Sequence, residues 1–178
     1  AVEIQPLTAC GHKANLIAVL GQGEGGLVLA GHSDTVPFDE SLWRSNPLAL
    51  TEKDGRFYGL GVCDMKGFFP QVLEAVAAFD ASKLRAPIIV IATADEESSM
   101  NGARALVQLG KQLGRACVIG EPTDLKPIRL HKGVMFEGIT VTGQSGHSSN
   151  PAYGANAMEA MNEAISRLLA LRADWQTR

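Results

Sequence analysis

Acidic residues and one histidine follow apolar runs at four places in this 178-residue chain. They are His32 and Asp34 after Leu27–Gly31, Asp64 after Phe57–Val62, Asp95–Glu97 after Ile88–Ala94, and Glu121 after Ala116–Gly120. A single acid after a strand is most often a helix cap or a solvated turn residue. So many carboxylates at strand ends, however, would repel one another and raise their pKa values, a conflict that a divalent cation removes. The pattern therefore predicts a metal site.

The types and spacing of these residues indicate what the site could do. Histidine and carboxylates without thiolates suit Zn²⁺, Co²⁺ or Mn²⁺ rather than an iron–sulfur cluster. In an extended segment His32 and Asp34 point to the same side, so we expect the Asp34 carboxylate to accept the far ring N–H of His32. Glu96 and Glu97 are adjacent, so one can bind metal while the other handles a proton. With two ions ~3.5–4 Å apart, a shared water loses a proton readily, and a free carboxylate beside it is a general base.

The elements that must position these residues alternate between strands and helices. Strands are predicted at Asn15–Leu20, Leu27–Gly31, Phe57–Val62, Ile88–Ala94 and Ala116–Gly120, and helices at Met65–Phe79 and Gly102–Leu113. The Gly-rich turn between the first two strands indicates a hairpin or meander. Strands that are apolar on both faces predict an α/β fold with a mixed, largely parallel sheet flanked by helices. Ligands in such sheets lie beyond the carboxyl ends of the strands, so distant residues can converge there.

The pattern changes after His131, where we place a domain boundary. Met135–Thr142 alternates like a half-exposed strand, Gly143–Asn150 is rich in Gly and Ser, and a helix is predicted from about Pro151 to Leu171. One strand and one helix are too little to bury a core. We therefore expect residues 1–132 to form one domain and residues 133–178 to form part of a second, α+β domain.

Composition excludes several classes of protein. The chain is 46% hydrophobic and 20% charged with a net charge of −3, which favours a globular core and argues against nucleic-acid or anionic-membrane partners. No apolar run approaches the roughly 20 residues of a membrane span, and no signal-peptide pattern opens the chain. Cys10, Cys63 and Cys117 lack CxxC spacing, which predicts a reducing, cytoplasmic location.

Five motifs, in this order and spacing, resemble the M20 metallohydrolases, the aminoacylase and glutamate-carboxypeptidase-like family. They are GHSDTVPF (Gly31–Phe38), YGLGVCDMKG (Tyr58–Gly67), ATADEESS (Ala92–Ser99), GEPT (Gly120–Thr123) and GQSGHSS (Gly143–Ser149). The resemblance covers Leu16–Leu171. It implies a zinc-exopeptidase-like catalytic domain, present in part over residues 1–132, and the first strand and helix of a lid and dimerisation domain over residues 133–178.

The resemblance also implies the ligands of two divalent ions, Zn²⁺ or Co²⁺. Asp64 would bridge both ions, His32 and Glu121 would complete one ion's ligands, and Glu97 would bind the other. The family has a further, late histidine as the last ligand of the second metal. The only other histidines here, His12 and His131, do not lie in a matching motif. We therefore expect this chain to correspond to an amino-terminal portion that is inactive by itself.

Catalytic roles follow from the same resemblance. Glu96 would be the general base that later gives its proton to the leaving amine, and Asp34 would orient His32. His147, in GQSGHSS, would reach the active site of the partner subunit of a homodimer and stabilise the oxyanion. The implied reaction is hydrolysis of the amide of an N-acyl amino acid, with N²-acetyl-L-ornithine as the favoured substrate and arginine biosynthesis as its setting.

Other interpretations stay open at this point. The same chemistry would serve succinyl-diaminopimelate, acetylcitrulline or a dipeptide, and a competing class is a non-catalytic metal-binding or dimerisation module. Cys63 is interpreted as a buried thiol rather than a nucleophile. Ser98 and Ser99 are interpreted as caps of the following helix. The apolar stripe Met158–Leu169 is interpreted as core or dimer packing.

Overall fold

The computed structural model describes residues 1–7, 12–110 and 112–178. The prediction for Cys10 lies outside these residues. The chain forms two compact units, a first unit over Ala1–Ile128 and a second unit over Arg129–Arg178, close to the predicted boundary. Their interpretation as a catalytic domain and a lid domain stays a prediction.

The described residues form short strands and three α-helices. The strands are β1 (Val2–Pro6), β2 (Ala14–Leu20), β3 (Leu27–His32), β4 (Thr51–Lys53), β5 (Arg56–Tyr58), β6 (Ile88–Thr93) and β7 (Ala116–Ile119). The helices are α1 (Phe68–Ala77), α2 (Asn101–Gln108) and α3 (Ala157–Gln176). Pro70 lies in the first turn of α1, where its missing N–H costs no helical hydrogen bond. None of the described helices is long and apolar enough to cross a membrane.

A five-stranded sheet in the order β1-β2-β6-β3-β7 organises the first unit. β6 pairs antiparallel with β2 and parallel with β3, and β3 pairs parallel with β7. The predicted hairpin of β2 with β3 is wrong, because β6 lies between them. This central place suits β6, whose side chains are apolar on both faces and are covered on both.

Helices cover both faces of this sheet, which confirms the predicted mixed α/β fold. Ile17, Val28, Ile89 and Ile91 form the buried core of one face, and the partly buried Leu106 and Leu109 from the region of α2 pack against it. Helix α1 lies on the opposite face. Gly31 points to that face, because it is one residue away in β3 from the inward-facing Ala30. It lies so close to Met65 and Phe69 that a Cβ on it would be 2.6 Å from the Met65 methyl carbon.

The predicted strand Phe57–Val62 does not join the main sheet. Only Arg56–Tyr58 is a strand, β5, and it pairs with β4 in a separate two-stranded sheet. The chain then turns through Gly61, whose φ of 78° is in the left-handed region that favours glycine. The irregular stretch Val62–Lys66 follows, so Asp64 comes from a loop and not from a strand end.

The second unit contains α3 and little other regular structure. Met135–Thr142, all of it described, forms no strand, and the prediction there is wrong. An extended segment becomes a strand only when a neighbour pairs with its backbone, and the described contacts of this unit supply only an isolated bridge between Gln144 and Ala155. The helix begins at Ala157 rather than Pro151, because the Asn156 side chain caps it by accepting the N–H of Met158.

Candidate metal centre

His32 is the most enclosed polar side chain of the candidate site. It ends β3, and its side chain is 1% exposed. The ring Nδ1–H donates to the backbone carbonyl oxygen of Asp34 at 3.0 Å, and Nε2 lies 3.0 Å from an Asp64 carboxylate oxygen. The bond from Nδ1 to the backbone fixes the orientation of the ring, as is usual for metal-binding histidines. The other nitrogen, Nε2, faces the Asp64 carboxylate, where a metal could bind to both.

Asp64 reaches this histidine because the next residue anchors its loop. Met65 is completely buried and packs beneath β3 at Gly31, the residue before His32. Lys66 N–H donates to the carbonyl oxygen of Gly61 at 2.8 Å and closes the turn. The Asp64 side chain itself stays 53% exposed, so it stands at the mouth of the cluster.

Glu96 and Glu97 lie on the turn that follows β6, and Asp34 holds their backbone. Both N–H groups, of Glu96 and of Glu97, donate to the Asp34 carboxylate at 3.1 Å. The sequence predicted that this carboxylate would accept the His32 ring N–H, but its nearer oxygen lies 3.7 Å from Nδ1. The backbone carbonyl of Asp34 takes that bond instead, because the carboxylate is already turned toward the two glutamates.

Three of the predicted site residues lie close together. Donor atoms of His32, Asp64 and Glu97 all lie within 4.8 Å of one another. A Glu96 carboxylate oxygen lies 3.9 Å from His32 Nε2, at the edge of the same cluster. Glu121, after β7, is close enough that its charge acts on His32. Their assignment to individual metal ions stays a prediction.

The pKa shifts show a crowded set of acids. Burial raises the pKa of Glu97 and of Glu121, and neighbouring carboxylates, Asp64 among them, raise both further. Burial alone would lower the pKa of His32, but its bonds to Asp64 and the Asp34 carbonyl, with the charges of Glu121 and Glu96, outweigh this and raise it. The acids thus favour a positive charge at Nε2. A divalent cation bound by nitrogen and oxygen donors fits this set.

Asp95 and Asn15 contact the same turn, and sequence reasoning gave neither a role. Asp95 is 4% exposed, and its pKa is held well below its usual range by Lys13, Ser99, Ser98 and Asn101. Asn15 is fully buried and bonds to both ends of the turn. The signal that could have found Asn15 is an amide side chain inside an otherwise apolar strand.

His147 belongs to the second unit, and its contacts are local. Its Nδ1 lies 2.7 Å from the hydroxyl oxygen of Ser149 and accepts the Ser149 N–H at 3.2 Å. Among the described residues Nε2 has no hydrogen-bond partner, and the side chain is exposed. Cys63, beside Asp64, is exposed as well, so its interpretation as a buried thiol is wrong.

Known proteins are similar to this chain in sequence and in fold. The chain is 54% identical over 170 residues to the acetylornithine deacetylase of Pasteurella multocida (strain Pm70), a match that covers 96% of this chain and 44% of the relative. The chain therefore spans less than half the length of that relative. Human carnosine dipeptidase 1 has a similar structure, with a TM-score of 0.58 and 28% identity over 67% of this chain and 28% of the dipeptidase.

A further structure shares the fold, and a family model identifies the family. The M20 family metallo-carboxypeptidase Sso-CP2 from Sulfolobus solfataricus shares the fold, with a TM-score of 0.50 at 19% identity over 67% of this chain and 28% of that protein. The model of Peptidase family M20/M25/M40 matches residues 28–176, which include every residue of the candidate site. By that match, the chain belongs to Peptidase family M20/M25/M40.

Proposed function

We propose that this protein is a metal-dependent amide hydrolase that removes the acetyl group from N²-acetyl-L-ornithine to give L-ornithine and acetate. The observation that carries the proposal is the cluster of His32, Asp64 and Glu97 with the Glu96 carboxylate beside it. The substrate is supported by the 54% identity to a protein named acetylornithine deacetylase. We assign the reaction to arginine biosynthesis, and the cysteine pattern supports a cytoplasmic location.

In this proposal the cluster would hold two divalent ions, Zn²⁺ or Co²⁺. Asp64 would bridge them, His32 and Glu121 would hold one, and Glu97 would contribute to the other. When bound, such ions polarise an amide carbonyl and make a neighbouring water more acidic. Nitrogen and oxygen donors without thiolates suit both metals.

The remaining residues would move and hold protons. Glu96 would take a proton from the attacking water at its carboxylate oxygen and return it to the nitrogen of the leaving amine. Asp34 would keep Glu96 and Glu97 in place through the two backbone N–H groups that it accepts. In a homodimer formed through the second unit, His147 of one subunit would donate from Nε2 to the substrate carbonyl oxygen in the other.

Hydrolysis of a dipeptide is a second candidate. The structural similarity to human carnosine dipeptidase 1 favours it, because a dipeptide bond and an N-acetyl bond are both linear amides. The two substrates differ in the group on the acyl side. The residues of this cluster do not discriminate between them, since all of them act on the amide itself.

A turnover assay tests the proposal directly. The full-length protein, loaded with Zn²⁺ or Co²⁺, should release ornithine from N²-acetyl-L-ornithine faster than it releases product from succinyl-diaminopimelate, N-acetylcitrulline or a dipeptide at the same concentration. A chelator should abolish release, and added metal should restore it. Loaded protein that releases no ornithine, or release that survives chelation, would contradict the proposal. Absence of metal uptake with excess Zn²⁺ at neutral pH would favour a non-catalytic scaffold.

A further inference from the structure

The turn that carries Glu96 and Glu97 is closed at its base by one buried side chain. Asn15 accepts the N–H of Ala94 at 3.1 Å, just after β6, and donates to the carbonyl oxygen of Gly102 at 2.9 Å, in the first turn of α2. Gly102 N–H also donates to the carbonyl oxygen of Ala94 at 3.1 Å. A Cβ at Gly102 would lie 2.3 Å from that oxygen and 2.6 Å from the Asn15 oxygen, so this base has room only for glycine.

Inside the turn, the Asp95 carboxylate collects four donors although only 4% of the residue is exposed. One oxygen accepts from Lys13 and, at 2.9 Å, from the Ser98 hydroxyl. The other accepts from the Ser99 hydroxyl and, at 2.7 Å, from the Asn101 amide. The carboxylate therefore ties the rest of the turn to the segment that precedes β2.

Neither Ser98 nor Ser99 caps the following helix. The residue at the N-cap of α2 is Met100, with a left-handed φ of 55° and no side-chain cap. The prediction that Ser98 and Ser99 cap this helix is therefore wrong, because both hydroxyls point to Asp95 instead. Asp95 itself has a left-handed φ of 64°, a conformation that aspartate tolerates better than most residues.

The two glutamates lie between these anchors. Asp95 precedes them, Ser98 follows them, and the Asp34 carboxylate holds both of their N–H groups. Neither glutamate can turn its backbone without breaking a bond to one of these three residues. The backbone that carries the two carboxylates is thus held by partly buried polar contacts.

We propose that Asp95, supported at the base of the turn by Asn15, is a positioning residue that fixes the backbone of Glu96 and Glu97 for metal binding and proton transfer. This inference rests on the proposed metal-dependent hydrolysis, but its geometry can be measured without turnover. Asp95 acts through the two glutamates, as groups behind metal ligands commonly do.

The test compares two variants and a control in the full-length protein. Asp95→Asn keeps the size of the side chain and the tolerance for a left-handed backbone. It replaces one carboxylate oxygen with an amide nitrogen, which cannot accept the hydrogen bonds that this oxygen accepts in the wild type. Lys13→Met removes one of the donors to Asp95. Because the Lys13 side chain is 52% exposed, we expect this variant to fold even if Asp95→Asn does not. Asp80→Asn is the matched control, because Asp80 accepts both the N–H and the hydroxyl of Ser82 on the surface.

Three measurements separate positioning from stability: Co²⁺ affinity by competition with a chelator, the visible absorption spectrum of the Co²⁺ form, and hydrogen exchange of the peptide containing Glu96 and Glu97 in metal-free protein. Asp95→Asn should weaken Co²⁺ binding about 10- to 100-fold, change the spectrum and speed exchange in that peptide. Lys13→Met should weaken binding by about two- to fivefold, and Asp80→Asn should change nothing.

Unchanged affinity, spectrum and exchange in Asp95→Asn would overturn the inference. If Asp95→Asn does not fold, unchanged values in Lys13→Met would overturn it, and faster exchange with weaker binding would support it. Wild-type protein that hydrolyses no amide would contradict the proposed function alone, since exchange in the metal-free variants still decides the role of Asp95.

Discussion

The two units hold their polar side chains in different ways. In the first unit the Asn15 amide bonds to Gly102, 87 residues away, and Asp34 bonds to Glu96, 62 residues away. In the second unit the side-chain bonds of His147 and of Arg167 reach only two and four residues along the chain. The first unit also has a buried core, whereas no residue of the second unit is buried.

This difference bears directly on what each unit can contribute to catalysis. Long-range bonds fix the relative positions of side chains from separate segments, which a reaction centre requires. Local bonds fix a side chain only within its own turn. The proposed role of His147 therefore depends on contacts with another subunit, whereas Glu96 is positioned by the first unit itself.

The largest effect is expected from Glu96→Gln. It removes the proposed base and preserves the size of the side chain, so turnover of N²-acetyl-L-ornithine should fall about 10²- to 10⁴-fold. Metal content should remain that of the wild type. Glu74→Gln, at an exposed site on α1, is the control and should leave turnover unchanged. A near-normal kcat in Glu96→Gln would remove the basis for the assignment.

His147→Ala should follow, with a loss of turnover of about 10²- to 10³-fold, the effect of removing one oxyanion donor. Because the side chain is exposed and, within the described part of the chain, bonded only to Ser149, the melting temperature and metal content should not change. The control is His131→Ala, whose ring bonds only to the carbonyl oxygen of the adjacent Lys132. Equal kcat values for the two variants would show that His147 has no catalytic role.

Stability should distinguish the units more clearly than activity does. Ile91 lies in the core and is 3% exposed. The substitution Ile91→Ala should therefore lower the free energy of unfolding by about 2–5 kcal/mol. Leu168 on α3 is 49% exposed, so Leu168→Ala should cost about 0.5 kcal/mol or less. Denaturant titration at several protein concentrations measures both. A larger, concentration-dependent loss for Leu168→Ala would indicate that a second copy covers this helix.

A smaller effect than those on turnover is expected from Asp34→Asn. The amide keeps one oxygen for an N–H of the Glu96–Glu97 turn but loses the second acceptor and the charge. Metal affinity should weaken about tenfold, at the low end for residues behind metal ligands. Asp39→Asn serves as the control, because Asp39 also accepts a backbone N–H, from Ser41, on the surface. Equal metal affinities for the two variants would contradict the positioning role of Asp34.

The groups of the candidate site could be predicted because their signal is local. An apolar run that stops on an acid or a histidine is visible in any window of ten residues, and this pattern predicts His32, Glu97 and Glu121 as site residues. The same pattern predicts Asp64, but it places this residue at the end of a strand that the structure does not contain. The anchor in the structure is Met65 beneath Gly31, a contact between segments that no sequence window contains.

Strand order could not be predicted because it depends on pairing between distant segments. The Gly-rich turn after β2 is equally compatible with a hairpin and with a crossing that leaves space for β6. Met135–Thr142 has the alternation of a strand, yet alternation creates no partner. Asn15 and Asp95 were missed for a related reason, since their donors and acceptors lie on other elements.

The central place of β6 has a consequence for biosynthesis. β2 and β3 leave the ribosome before β6, and neither can pair with the other in the native sheet. Each must keep an open edge until residues 88–93 emerge and fill the gap between them. Such open apolar edges are prone to association with other chains. We therefore expect nascent chains that stop before β6 to depend on chaperones, and chains that include it to be released from them.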